Sequence, residues 1–194
     1  MRHRNLVCGS GRCGSSLVMQ MLDAGGVKVV GDSPYYEPVE TIWHDFCPDW
    51  LSQQTGVVKL LYPIPAVAKF NPGDYRVIWL TRDKDQQAKS FLKFAMHMRK
   101  IPKEDQDVKA IAKDMIEEER VCLNALEKLG RLMILSFEHI ITEPCEAAGK
   151  ILDFFQVDGD VERMITEVHK RDTLSLPDMT LEDNLIETKA ASTL

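Results

Sequence analysis

Short apolar runs, each followed by a stretch of helical period, set the strongest limit on how this 194-residue chain can fold. "NLVCG", "GVKVV", "GVVKLLYP", "YRVIWLTR" and "RLMILSF" read as strands apolar enough to be buried on both faces. Helices are predicted over Ser15 to Ala24, through Trp43 to Leu51, over Ile64 to Phe70, and from Lys84 to about Met98. A long one from Val108 stops at Gly130, and two more run over Glu143 to Phe155 and Gly159 to Lys170. This alternation predicts an α/β protein, with a central parallel β-sheet of about five strands flanked by helices. With no internal repeat or low-complexity linker, the expectation is one domain over residues 1–177 and a polar C-terminal tail over 178–194.

The net charge of −6 argues against a nucleic-acid partner, which needs a clustered basic face. An anionic ligand must then be held by a local concentration of donors. Five cysteines without a CxxC pair predict reduced thiols and a cytoplasmic protein. "MRHRN" leads straight into a strand, so no secretory leader is expected, and no apolar run reaches the ~20 residues of a membrane span.

The stretch most suggestive of chemistry is "LVCGSGRCGSSLVMQML", a strand, a glycine-rich turn and a helix start. Anions bind where a strand's carboxyl end meets a helix N-terminus, and glycines let the backbone curl its N–H groups onto one oxyanion. Ser15 and Ser16 add hydroxyl donors, and Arg12 adds a planar fork of charged ones. Against the template G-x-x-x-x-G-K-[ST], Gly9 and Gly14 match, but Ser15 replaces the lysine that reaches the terminal phosphates. Asp83, the carboxylate after the strongest strand, follows Arg82 and is a poor metal anchor. A P-loop nucleotide or small-molecule kinase is therefore disfavoured.

"VCGSGRCGSSLVMQMLDAGG" resembles the phosphosulfate loop of the sulfotransferases, roughly P-[KR]-S-G-[TS]-[ST], with the basic residue two positions before the glycine. Arg12 sits there relative to Gly14; Gly11 stands for the usual proline and Cys13 for the usual serine. "YRVIWLTRDKDQQAKSF" resembles the element that grips the cofactor's 3′-phosphate, a strand followed by Arg82 and, eight residues on, Ser90. "LMILSFEHIITEPCEAAGKILDFFQV" resembles the structural strand and helix near the family's C-terminus. The resemblance spans about residues 5 to 157 and implies the P-loop NTPase-like sulfotransferase fold.

The resemblance implies 3′-phosphoadenosine 5′-phosphosulfate (PAPS) as cofactor and adenosine 3′,5′-bisphosphate (PAP) as product, in a scheme that needs no metal. Gly11, Arg12, Cys13, Gly14, Ser15, Ser16, Arg82 and Ser90 are then cofactor-binding. Lys59, on "GVVKLLYP", falls where the family carries a lysine near the bridging oxygen, and joins Arg12 in stabilising developing charge. The histidine that many members place two residues beyond that lysine is here Leu61, so a carboxylate of "GDSPYYEPVE" is expected to take the acceptor's proton. Glu37, beside two tyrosines and open to a raised pKa if buried, is placed ahead of Asp32; Glu40 and His44 are further candidates. Tyr35, Tyr36 and Trp43 are candidates for an acceptor pocket, and Lys170 and Arg171 for charge near the 3′-phosphate. The resemblance implies a hydroxyl or amine acceptor, and the chain, short for the family, favours a small-molecule or small polar one, or an open site. A catalytically inactive PAPS/PAP-binding protein remains the alternative of another class.

Overall fold

The computed structural model describes residues 4–38, 41, 48–63, 70, 73, 75–97 and 107–168. The elements are β1 (Arg4–Gly9), α1 (Ser15–Ala24), α2 (Pro48–Gln53), β2 (Val58–Leu61), β3 (Tyr75–Thr81) and α3 (Lys84–His97). They continue with α4 (Val108–Leu126), β4 (Gly130–Ser136), α5 (Phe137–Thr142), α6 (Pro144–Phe155) and α7 over 161–168. The strands form one parallel sheet in the order β2-β1-β3-β4. Parallel neighbours need crossover connections, and here helices cover both faces of the sheet.

Side-chain alternation along the strands divides the core. Val7, Ile78 and Leu80 face a cluster built from α1, α5, α6 and α7, including Leu17, Leu22, Ile151 and Phe155. Leu6, Cys8, Val58, Leu60, Val77 and Trp79 face the other way, toward α2 and α4 through Leu51, Cys122 and Leu126. Gly9 lies opposite Leu61 of β2 and Leu80 of β3, so three strands end level at one edge. Open parallel sheets bind ligands at that edge, where connections leave a central strand in opposite directions.

The α/β class holds, with differences in detail. The expected sheet of about five strands has four, because "GVKVV" reaches its neighbour only through the Val29–Val57 bridge. Gly31, at φ 93°, then turns the chain away. "RLMILSF" stops one residue early: Ser136 accepts a hydrogen bond from His139 N (3.1 Å) and caps the unexpected α5. Pro144, which has no N–H to donate, starts α6 as a separate helix. The long helix begins where Asp107 caps Lys109 and Ala110 and ends at Leu126. The expected helices over Ile64 to Phe70 and Trp43 to Leu51 lie largely outside the described residues, as does the tail. Among the described residues no helix is long and apolar enough to cross a membrane.

Ile151, fully buried on α6, reports on the first cluster. Ile151→Ala should lower unfolding free energy by about 2–5 kcal/mol. Urea denaturation should show a lower midpoint at unchanged slope.

Candidate active site

From the end of β1 the chain curls through residues 10–14 into α1. Gly14 is the N-cap residue at φ 96°, and a Cβ there would come within 2.5 Å of the Phe137 ring, so conformation and space both require glycine. Arg12 is also left-handed, at φ 67°, an uncommon state for a side-chain-bearing residue and one that clusters at functional sites. This left-handed curl ahead of a helix N-terminus is the geometry of an anion nest. Cys13 and Ser15 are buried, and the Cys13 sulfur lies against the Ser15 N–H and hydroxyl. Burial pushes the Cys13 thiol up, so it stays neutral. Cys13 therefore offers the loop its main chain, and Ser16 carries the hydroxyl at the lip.

The second motif closes on the first. Arg12 Nε donates to Ser90 Oγ (3.1 Å), and the guanidinium lies 5.4 Å from the centre of the Phe94 ring. Arg82 donates to the Arg12 carbonyl (3.3 Å) and stands 4.6 Å over Phe137. The Asp83 carboxylate accepts from Gln86 N (2.9 Å) at the start of α3. Gln87, absent from the sequence reading, is fully buried and donates to the Gly11 carbonyl (2.8 Å). Gln87, Ser90 and Phe94 recur at i, i+3 and i+7, so the spacing of one α3 face contains the signal for it.

On the other side stands Lys59, 2% exposed in the middle of β2. Its ammonium donates to Ser16 Oγ (3.0 Å), the Tyr35 carbonyl (2.8 Å) and Glu37 Oε1 (2.6 Å). Burial lowers the Lys59 pKa, and the Glu37 carboxylate opposes that fall. Glu37 is not buried; its side chain is 40% exposed with one oxygen on the lysine. Asp32 sits in an exposed turn, lining a surface hollow with Asp23, Lys28 and Ser33. Tyr36 is buried with its hydroxyl on Asp23 (2.8 Å), which makes it packing, and Tyr35 is exposed. His139 neighbours Lys150 and Glu146. Glu40, Trp43, His44, Lys170 and Arg171 lie outside the described residues.

The edge thus gathers Arg12, Arg82, Lys59, Ser16 and Ser90, donors suited to a ligand with two anionic groups. No family model and no curated protein matches the sequence. Solved structures do match. A mouse sulfotransferase complexed with PAP is 10% identical with a TM-score of 0.55, over 86% of this chain and 63% of that one. A sulfotransferase domain from the curacin biosynthetic pathway is 12% identical at 0.60, over 86% and 78%. A Mycobacterium avium sulfotransferase is 13% identical at 0.56, over 89% and 68%. At these identities the likeness is one of architecture: the chain has the sulfotransferase fold, and it spans under two thirds of the mouse protein.

The ion pair can be tested directly. Glu37→Gln removes the charge that opposes desolvation, so the Lys59 pKa should fall further below that of an ordinary lysine. An NMR titration of the Lys59 side chain reads this, and an unmoved midpoint would mean that Glu37 does not hold the lysine in solution.

Proposed function

We propose that this protein is a PAPS-dependent sulfotransferase acting on a small hydroxyl or amine acceptor. One observation carries the reading. Two motifs about 70 residues apart in sequence meet at one sheet edge, through the bonds from Arg12 to Ser90 and from Arg82 to the Arg12 carbonyl. An anion nest beside a second arginine and hydroxyl suits a ligand with two separated anionic groups, and the donor chemistry fits PAPS.

In this reading the main chain of Gly11 to Ser16, with Arg12 and the Ser16 hydroxyl, holds the phosphosulfate end. Arg82 and Ser90 hold the 3′-phosphate. Bound there, the cofactor supplies an activated sulfuryl group. Lys59 offers a positive charge where charge develops, already oriented by Ser16 and by the Tyr35 carbonyl. Glu37 keeps that lysine charged, while Asp32 is set apart from it. The domain is taken as residues 1–177. The free thiols of Cys8, Cys13 and Cys122, all buried, support a reducing, cytoplasmic setting.

Calorimetric titration of PAP, beside ATP and AMP, tests the reading on the wild type and Arg82→Ala. PAP alone should bind tightly, and the substitution should weaken it by about tenfold or more, the loss of a charge-assisted hydrogen bond. Equal binding of the three nucleotides would overturn the proposal and favour another anion.

A further inference from the structure

Two successive carbonyls of the turn between β1 and α1 are held by side chains from one side. Gln87 of α3, fully buried, donates from Nε2 to the Gly11 carbonyl (2.8 Å). Arg82, at the end of β3, donates to the Arg12 carbonyl (3.3 Å). Beside them the Tyr62 phenol oxygen fills the place that a Gly11 side chain would need. Gln87 is itself oriented by charge. Its Oε1 accepts from the Lys84 ammonium (3.2 Å), which also donates to Thr81 Oγ1 (3.3 Å) and Glu119 Oε2 (2.7 Å). That Glu119 oxygen accepts from the Trp79 indole as well (3.1 Å). An ammonium only donates and a carbonyl only accepts, so one orientation of the Gln87 amide satisfies both ends. A partly buried polar row thus runs from Glu119 on α4 through Lys84 and Gln87 to Gly11.

We infer that Gln87 is the positioning residue of the anion loop, holding the Gly11–Arg12 peptide so that its N–H faces the bound anion. The inference rests on the reading of the loop as an anion site and deepens it. The Gly11 carbonyl and the Arg12 N–H belong to one trans peptide and point in opposite directions, so fixing one fixes the other. No main-chain acceptor among the described residues meets the Arg12 N–H, which leaves it to a ligand. Arg12 is held at φ 67°, where a side-chain-bearing residue is uncommon. Relaxing Arg12 to an ordinary negative φ would rotate that peptide and swing the Gly11 oxygen round toward the side the N–H faces. Glycine at position 11, free in its own dihedrals, offers little resistance to the swing. An oxygen so placed repels an anion. The bond from Gln87 opposes the rotation, because breaking it would strand a fully buried amide.

The test uses the full chain, with calorimetric titration of PAP and NMR of the loop, on the wild type and Gln87→Met. Methionine keeps the length and the apolar stem and lacks the donor. Gln87→Met should weaken PAP by about tenfold. It should also shift the Gly11 carbonyl carbon and Arg12 amide resonances of the ligand-free protein, which loss of packing alone would not single out. In the wild type, PAP should move the Arg12 amide proton downfield, as for an N–H that gains an anionic acceptor. An unmoved Arg12 amide would overturn the inference whether or not the variant folds. Wild-type PAP affinity in Gln87→Met would overturn it too, and leave the PAPS reading standing. Weakened affinity with the Gly11 and Arg12 resonances unmoved would make Gln87 a packing residue and sink the positioning role. A wild type that binds no PAP removes the PAPS reading alone. Inorganic pyrophosphate then serves as the probe, with the same tenfold ratio and the same Arg12 shift expected. Binding of neither removes both.

Discussion

The site depends on β1 ending level with both of its parallel neighbours. Gly9 pairs with Leu61 on one side and Leu80 on the other, so the chain leaves β1, β2 and β3 at one height. Crossover connections then bring each following segment back across a sheet face, so residues far apart in sequence meet at one edge. Arg12, Lys59, Arg82 and Ser90 come from three such segments. A slip of one residue in β2 would send Lys59 to the α4 face and Leu60 toward Ser16. Register, more than any single contact, sets which donors meet.

A chain of net charge −6 gathers several of its cations at that edge, and the way they are held matters. Arg12 rests on a hydroxyl and an aromatic ring, with no carboxylate among its described contacts. Lys59 spends two of its three donors on neutral oxygens, Ser16 Oγ and the Tyr35 carbonyl. Neutral acceptors orient a cation without cancelling its charge, so Arg12 keeps its charge at the loop, while Glu37 offsets part of that of Lys59. The acidic surplus of the chain lies elsewhere, much of it on exposed helix faces. Local arrangement thus overrides global charge, as the sequence required of any anion site here.

Much of this was legible in the residues, and the failures have physical causes. The Arg82 to Ser90 spacing could be placed because a helix fixes which positions share a face. Gln87 lay on that same face and was missed, although its spacing to Ser90 contained the signal. Tyr62, whose phenol lies against Gly11, left no local signal, because its placement comes from a left-handed turn after a strand. Glu117, Glu118 and Glu119 are chemically identical neighbours separated by about 100° of helix rotation each. One pairs with Arg120 in solvent, one is half-buried, and one holds Lys84 and the Trp79 indole. Only the phase of α4 against the sheet tells them apart, and that phase is a tertiary fact. The fifth strand failed similarly: "GVKVV" has the right composition, but Gly31 ends its pairing after one bridge.

Lys59 shows how such a site is set against the stability of its own fold. Burial lowers its pKa in the native state, so between that value and the ordinary 10.5 the unfolded chain binds more protons than the folded one. Stability from this group therefore rises with pH across that window, and below it the native state carries the cost of a buried charge. Glu37 and the two neutral oxygens reduce the cost without removing it, since Glu37 is itself 40% exposed and partly screened by water. The low-dielectric surroundings that impose this cost also strengthen the attraction of the ammonium for an anion brought beside it. An anionic ligand placed there would offset the desolvation that the empty protein bears, so binding and folding would reinforce each other at one residue. A solvent-exposed lysine in the same register would cost the fold less and hold an anion more weakly.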